Sequence, residues 1–358
     1  MKSGVLSRRL SMAVLLIVMA AGSSARASVA LFVEEPYGFF GGVTPTGHSA
    51  IYLNHVCAAS PIQLRRCTAD ETGVVISRYY NIGHYDWIAI PLFPYLYAVE
   101  RPEDVPTWAE RDTVAQLRQN YAEANLQDLI SIPEVAKSNA ALPQLLGVSY
   151  IRKIYSFEVS TTGEQDDRLI AEYNDRANSS HFNLFSNNCA DFVRQVVNLY
   201  FPGAAHRAVI ADLAITTPKH VAKGLVSYAR HHPELEFSEV IIPQIPGSYS
   251  RSHKPRGVVE ALLMSKKYAL PITVFQPFFM AGIAITYLST GRFNLSNHAP
   301  VIAVIDQTQT LVTGRPSVSA TPWPETAPTI TAGPADCDSS CTDKESLTPV
   351  ADVRPSPL

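Results

Sequence analysis

The chain has 358 residues, enough for one large domain or two small ones. Apolar residues make up 46% and charged residues 17%, so a substantial core can form. Lys+Arg at 29 against Asp+Glu at 32 gives a net charge of −3 and no electrostatic basis for binding nucleic acid.

At the N-terminus, Lys2, Arg8 and Arg9 precede a short apolar run over 12–21, and Ala25-Arg26-Ala27 fits a small-x-small cleavage pattern. Residues 1–27 therefore read as an export signal, with Ser28 as the mature start. An uncleaved anchor of the same composition is the alternative.

Residues 28–33 read as a first strand, followed by a turn at Gly41-Gly42. His48 opens a second strand over 48–53. A third follows over 73–79, with Val75 and Ser77 expected on alternating faces, and a short one over 87–90 is closed by Pro91. The apolar stretch 91–97 suits either core or a substrate wall. Thr107 and Glu110 form a capping-box pattern that predicts a helix from there through Val114, Leu117 and Tyr121. A strand is expected over 153–159 and an amphipathic helix over 164–177, with Leu169, Ile170 and Tyr173 inward.

Between the second and third strands lie Cys57 and Cys67. Close cysteines in an exported chain are expected to pair, as are Cys337 and Cys341, which leaves Cys189 as the odd one of five. No zinc-type Cys/His spacing, phosphate loop or internal repeat is present, so neither a metal nor a cofactor is expected.

Cys189 sits in Asn187-Asn188-Cys189-Ala190-Asp191-Phe192-Val193. Phe192, Val196 and Tyr200, with Val193 and Val197 beside them, make one helical face, so Cys189 opens a helix. Unpaired N–H groups and the positive end of the dipole favour thiolate there, and the thiolate is the nucleophile. Roughly 140 residues upstream, His48 opens Gly47-His48-Ser49-Ala50-Ile51-Tyr52-Leu53. A thiol and an imidazole are the minimum set for covalent thiol catalysis. Asn188 is either a helix cap or a further oxyanion donor beside the Cys189 N–H. His206, His220, His231, His232, His253 and His298 read as solvated surface histidines.

The two motifs resemble those of the circularly permuted NlpC-type thiol hydrolases, the papain-like group that includes the lecithin retinol acyltransferases. In that group a His-x-x-Ile/Leu-Tyr strand precedes an Asn-Cys-x-x-Phe helix, as here. The resemblance covers two short motifs within about 30–200 and implies a papain-like fold with acyl transfer to Cys189. Members often carry a second polar residue, commonly histidine, on the next strand to orient the catalytic ring. Ser77 holds that place here, with His84 as the other candidate.

The expected class is α+β: a papain-like antiparallel sheet with helices packed to one side, over 28–202. Residues 203–306 form an extension broken by prolines, with a helical part, and 307–358 a Thr/Ser/Pro-rich disordered tail. Within the extension, 268–288 carries no charge and is about as long as a membrane span, but Pro271, Gln276 and Pro277 interrupt it and Lys254, Arg256, Lys266 and Lys267 precede it. A bent or interfacial segment at a membrane surface and a buried core helix are both open. The functional expectation is a hydrolase or acyltransferase exported to the periplasm or the outer face of the inner membrane. It would act on an amide or ester of a cell-wall peptide or lipid. The alternative is a catalytically silent, membrane-associated scaffold.

Overall fold

A computed structural model describes residues 27–37, 45–80, 82, 84–130, 142–179, 182–207, 212–296 and 298–302. Residues 1–26 of the expected leader (1–27), the Gly41-Gly42 turn, the Cys337–Cys341 pair and the tail over 307–358 lie outside these residues.

The fold is α+β, built on an antiparallel sheet. Its strands are β1 (Ser28–Glu34), β2 (His48–Leu53), β5 (Val74–Ser77), β6 (Ile88–Pro91), β7 (Ile154–Ser160) and β8 (Ser238–Ile242), in the order β6-β5-β2-β1-β7-β8. β3 (Val56–Ser60) and β4 (Gln63–Arg66) form a separate hairpin. Cys57 and Cys67 close it with a disulfide, their Cα atoms 4.9 Å apart.

Helices cover both faces of the sheet, where one face was expected. Phe32, Tyr52, Val75 and Ile90 pack on one side with α1 (Leu92–Tyr97) and α2 (Arg111–Asn125). Leu31, Ile51, Val74 and Phe157 pack on the other with α3 (Gly163–Asp175), α4 (Cys189–Tyr200) and α5 (Pro218–His231). The reason is visible in β1, where Val-Ala-Leu-Phe-Val is an unbroken apolar run and all seven strand residues are buried. Continuous runs belong to strands covered on both faces. Leu92 to Tyr97 are all buried, so this stretch is core. Val75 and Ser77, two apart in one strand, share a face instead of alternating.

The predicted Thr107 cap does not form, and α2 starts at Arg111 without a side-chain cap. Ala109 instead pairs in extended conformation with the 246–248 segment. Its N–H donates to Pro246 O, and its carbonyl accepts from Ser248 N–H. Glu110 takes the Ser248 hydroxyl at 2.6 Å. Tertiary pairing thus outcompetes the local capping signal.

The expected boundary near residue 202 does not separate packed units. β8 pairs with β7, and Val221, Leu225 and Ile241 join the same core as Phe192 and Val196. Beyond β8 come α6 (Val258–Met264), α7 (Lys266–Phe275) and α8 (Pro277–Thr286). Of the last two helices, only Met280 and Ile283 are buried, so a core assignment for this region fails.

Candidate active site

α4 is specified locally. Asn188 caps it by accepting the Asp191 N–H at 3.0 Å, and the Asp191 carboxylate reaches back to the Asn188 N–H. Phe192, Val193, Val196, Val197 and Tyr200 are all buried, which sets the helix rotation. Asp191 is itself buried and takes Thr216 Oγ1 at 2.6 Å and Arg207 Nη2 at 2.9 Å. These contacts hold Cys189, the first residue of the helix and a part-exposed free thiol, at a fixed point over β2.

The second site residue, His48, stands at the opening position of β2, facing Glu34 in the β1–β2 register. Gly47 makes this entry possible. It has φ 75°, and a Cβ there would lie 2.0 Å from Glu34 O.

The imidazole and the Cys189 thiol lie close enough for each to shift the other's charge. Its Nε2 lies 3.0 Å from Ser77 Oγ. Ser77 Oγ is also 2.7 Å from Ser49 O. A hydroxyl has one proton, and a carbonyl can only accept, so Ser77 donates to Ser49 and accepts from His48 Nε2–H. This assigns the Nε2–H tautomer and leaves Nδ1 as the nitrogen that serves the thiol. Tyr79 stacks on the ring with centroids 5.3 Å apart.

The two pKa values move toward an ion pair. Burial pushes the Cys189 thiol up, but the His48 charge, its hydrogen bond and the Ser49 donors together bring it below its ordinary value. Burial lowers His48, and the Cys189 and Glu34 charges overcome this to raise it. Arg152 opposes them. The Ser49 N–H and hydroxyl both favour the thiolate, and the buried hydroxyl has no other hydrogen-bond partner.

The orienting place falls to Ser77, and His84 does not share it. His84 is exposed on a turn with φ 60° and is not among the groups that shift His48. Asn188 also takes only one of its two expected roles. Its Nδ2 donates to Leu184 O at 3.0 Å and Thr216 O at 3.1 Å, so both amide protons are committed and none is left for an oxyanion. The Cys189 N–H, first in its helix, has no intrahelical acceptor and remains the available donor. His220 is a second departure, since it is half-buried 3.9 Å from Asp212 and not simply solvated.

Three site residues, Glu34, Arg152 and Arg78, carried no sequence signal. Glu34 is fully buried, bound by Arg152 Nη1 at 2.7 Å and by the Tyr95 hydroxyl. It supplies the charge that Ser77 lacks. Arg78 clamps the loop before Cys189, with Nη1 on Asn187 Oδ1 at 2.5 Å and a two-pronged bond to Asp86.

Among the described residues, the one grouping with metal-ligand chemistry is Cys57, Cys67 and Glu71. The cysteines are spent on their disulfide and the carboxylate on Arg65, so it is a crosslinked hairpin and not a metal centre.

Compared with known proteins, the chain matches no family model, no curated protein and no solved structure.

Proposed function

We propose that this protein is a thiol-dependent acyl-transfer enzyme, a hydrolase or acyltransferase that works through a Cys189 acyl-enzyme. The observation that carries the reading is the meeting of His48, the first residue of β2, with Cys189, the first residue of the helix packed on that strand, where each shifts the other toward imidazolium and thiolate. The permuted order, histidine strand before cysteine helix, supports kinship with the NlpC-type papain-like hydrolases and a papain-like arrangement of the fold.

The thiolate attacks an amide or ester carbonyl, and the developing oxyanion takes the Cys189 N–H. Imidazolium Nδ1–H then protonates the leaving amine or alcohol, leaving a thioester and neutral imidazole. Nδ1 next removes a proton from water or an acceptor alcohol, which attacks the thioester. Collapse releases the carboxylic acid or new ester, and the thiolate–imidazolium pair returns. Hydrolysis consumes one water. Ser77 and Glu34 stay in place throughout, one fixing the ring and the other stabilising its charge.

Export to the periplasm or the outer face of the inner membrane belongs to the same proposal. The leader-like N-terminus supports it, as does the Cys57–Cys67 disulfide, since such crosslinks persist in oxidising compartments. Cell-wall peptides and lipid amides or esters are the substrate classes that suit that location.

A p-nitrophenyl ester tests the chemistry. Mass spectrometry should find one acyl group on Cys189, lost in Cys189→Ala and greatly slowed in His48→Ala. A thiol that reacts no faster than glutathione and never acylates would favour the silent scaffold instead.

A further inference from the structure

The uncharged run at 268–288 folds into two short helices set at an angle. α7 ends at Phe275, Gln276 breaks the helix with φ −139° and ψ 61°, and Pro277 begins α8. α7 buries no residue at all. At the bend, Phe275 is 78% and Phe278 92% exposed, and Val274, Leu270 and Ile285 are each exposed by more than half. A contiguous apolar surface of this kind marks a contact with something outside the molecule.

We propose that this arm docks on the surface of an anionic phospholipid bilayer. Three observations select that occupant. First, no helix among the described residues is long and apolar enough to cross a membrane, so an apolar tip ahead of polar flanks fits the headgroup–acyl boundary. Second, the flanks are basic. Arg251, Lys254, Arg256, Lys266, Lys267 and Arg292 are all exposed, in a chain whose net charge is −3. The one acid between 248 and 302 is Glu260, which is buried and paired with Lys219 at 2.5 Å. A basic rim around an apolar tip is complementary to anionic headgroups over acyl chains. Third, a second copy of the chain is a poor occupant, because joining two such tips sets one basic rim against another.

The base of the arm is tied to the residues around the thiol. Arg256 N–H donates to Pro45 O at 2.9 Å, three residues before His48. Val258 N–H donates to Asp212 Oδ1 at 2.7 Å, and Asp212 Oδ2 takes Thr217 Oγ1 at 3.0 Å. Next to Thr217, Thr216 O holds the Asn188 side chain. A docked arm would therefore hold the Cys189 site close to the bilayer. Docking itself is independent of the chemistry at Cys189.

The test is co-sedimentation of the exported protein, purified after leader removal, with phosphatidylcholine vesicles with and without phosphatidylglycerol. The protein should pellet with the anionic vesicles and be weakened by salt. Phe275→Ser/Phe278→Ser/Phe279→Ser should lower partitioning about tenfold or more, and Lys266→Glu/Lys267→Glu should abolish the preference for phosphatidylglycerol. All five side chains are exposed, so unchanged melting temperatures will show that the variants fold. Cys189→Ala should bind like the parent. No association with either vesicle, or equal binding by the triple-serine variant, overturns the proposal. So does a dimer in solution that the triple-serine variant dissolves without any vesicle binding by the parent.

Discussion

Ser77 Oγ accepts from His48 Nε2–H at 3.0 Å while giving its own proton to Ser49 O. That double use turns a neutral serine into a tautomer selector, with Nδ1 left facing the thiol. Removing the hydroxyl frees the ring to rotate and leaves Ser49 O without its side-chain donor. Ser77→Ala should therefore lower kcat on a p-nitrophenyl ester by about 10- to 100-fold with KM little changed, at a stability cost of about 1–2 kcal/mol. Ser77→Thr, which keeps the hydroxyl, should recover most of the rate. Equal rates for Ser77→Ala and the parent would remove Ser77 from the site.

The pH dependence follows from the two shifts. Cys189 is held below its ordinary value and His48 above its own, so both shifts favour the thiolate–imidazolium pair. Iodoacetamide should alkylate Cys189 with an acid limb below that of an ordinary thiol. Turnover should fall on the alkaline side, as His48 loses the proton that the leaving group needs. Glu34 is one of the charges that raise His48. Glu34→Gln should lower His48, and the weaker imidazolium should let the thiol rise. Both limbs then move inward. Limbs that stay put would show that Glu34 is structural only.

The disulfide closes a loop with a sequence separation of 10 residues. Cutting it frees the β3–β4 hairpin in the unfolded chain more than in the folded one. Cys57→Ser/Cys67→Ser should cost about 2–3 kcal/mol, read as a lower denaturation midpoint. It should leave Cys189 alkylation unchanged, because the hairpin is not part of the pair. A parent protein that releases both thiols to a probe without reductant would remove the crosslink.

The legible parts of the chain were those where one local rule decides. The 3.6-residue apolar face after Cys189 gave α4 its rotation, and an apolar run opened by histidine gave β2. Less was legible where a distant partner decides. Thr107 and Glu110 form a good local capping pattern, yet Pro246 and Ser248 take the backbone groups that a helix would need. β8 lies in a proline-broken stretch and becomes a strand by pairing with β7. Glu34 could not be placed in the site because its neighbours Arg152 and Tyr95 are far away in sequence. The exposed arm was legible as uncharged, but its two faces were not, since exposure depends on what the rest of the fold leaves uncovered.

Asp212 anchors the start of α6 from within the body, and burial pushes its pKa up to about 6. Thr217 Oγ1 and Val258 N–H favour its charged form, Lys219 does so weakly, and Glu260 opposes it. His220 Nδ1 stands 3.9 Å away, its own pKa lowered by burial, Lys223 and His206. A carboxyl with a raised folded value keeps its proton in the folded state after the unfolded chain has released it. Stability therefore falls as pH rises from the ordinary carboxylate range to about 6, and the full penalty persists above that. A shift of this size corresponds to roughly 2–3 kcal/mol. Asp212→Asn keeps an oxygen for Val258 N–H and removes the titration. The variant should show a flatter stability profile across pH 4–6 and, at pH 7.5, be more stable than the parent by about 1–3 kcal/mol in urea denaturation. A variant less stable than the parent at pH 7.5, with the same slope between pH 4 and 6, would show that the Asp212 charge is favourable where it sits.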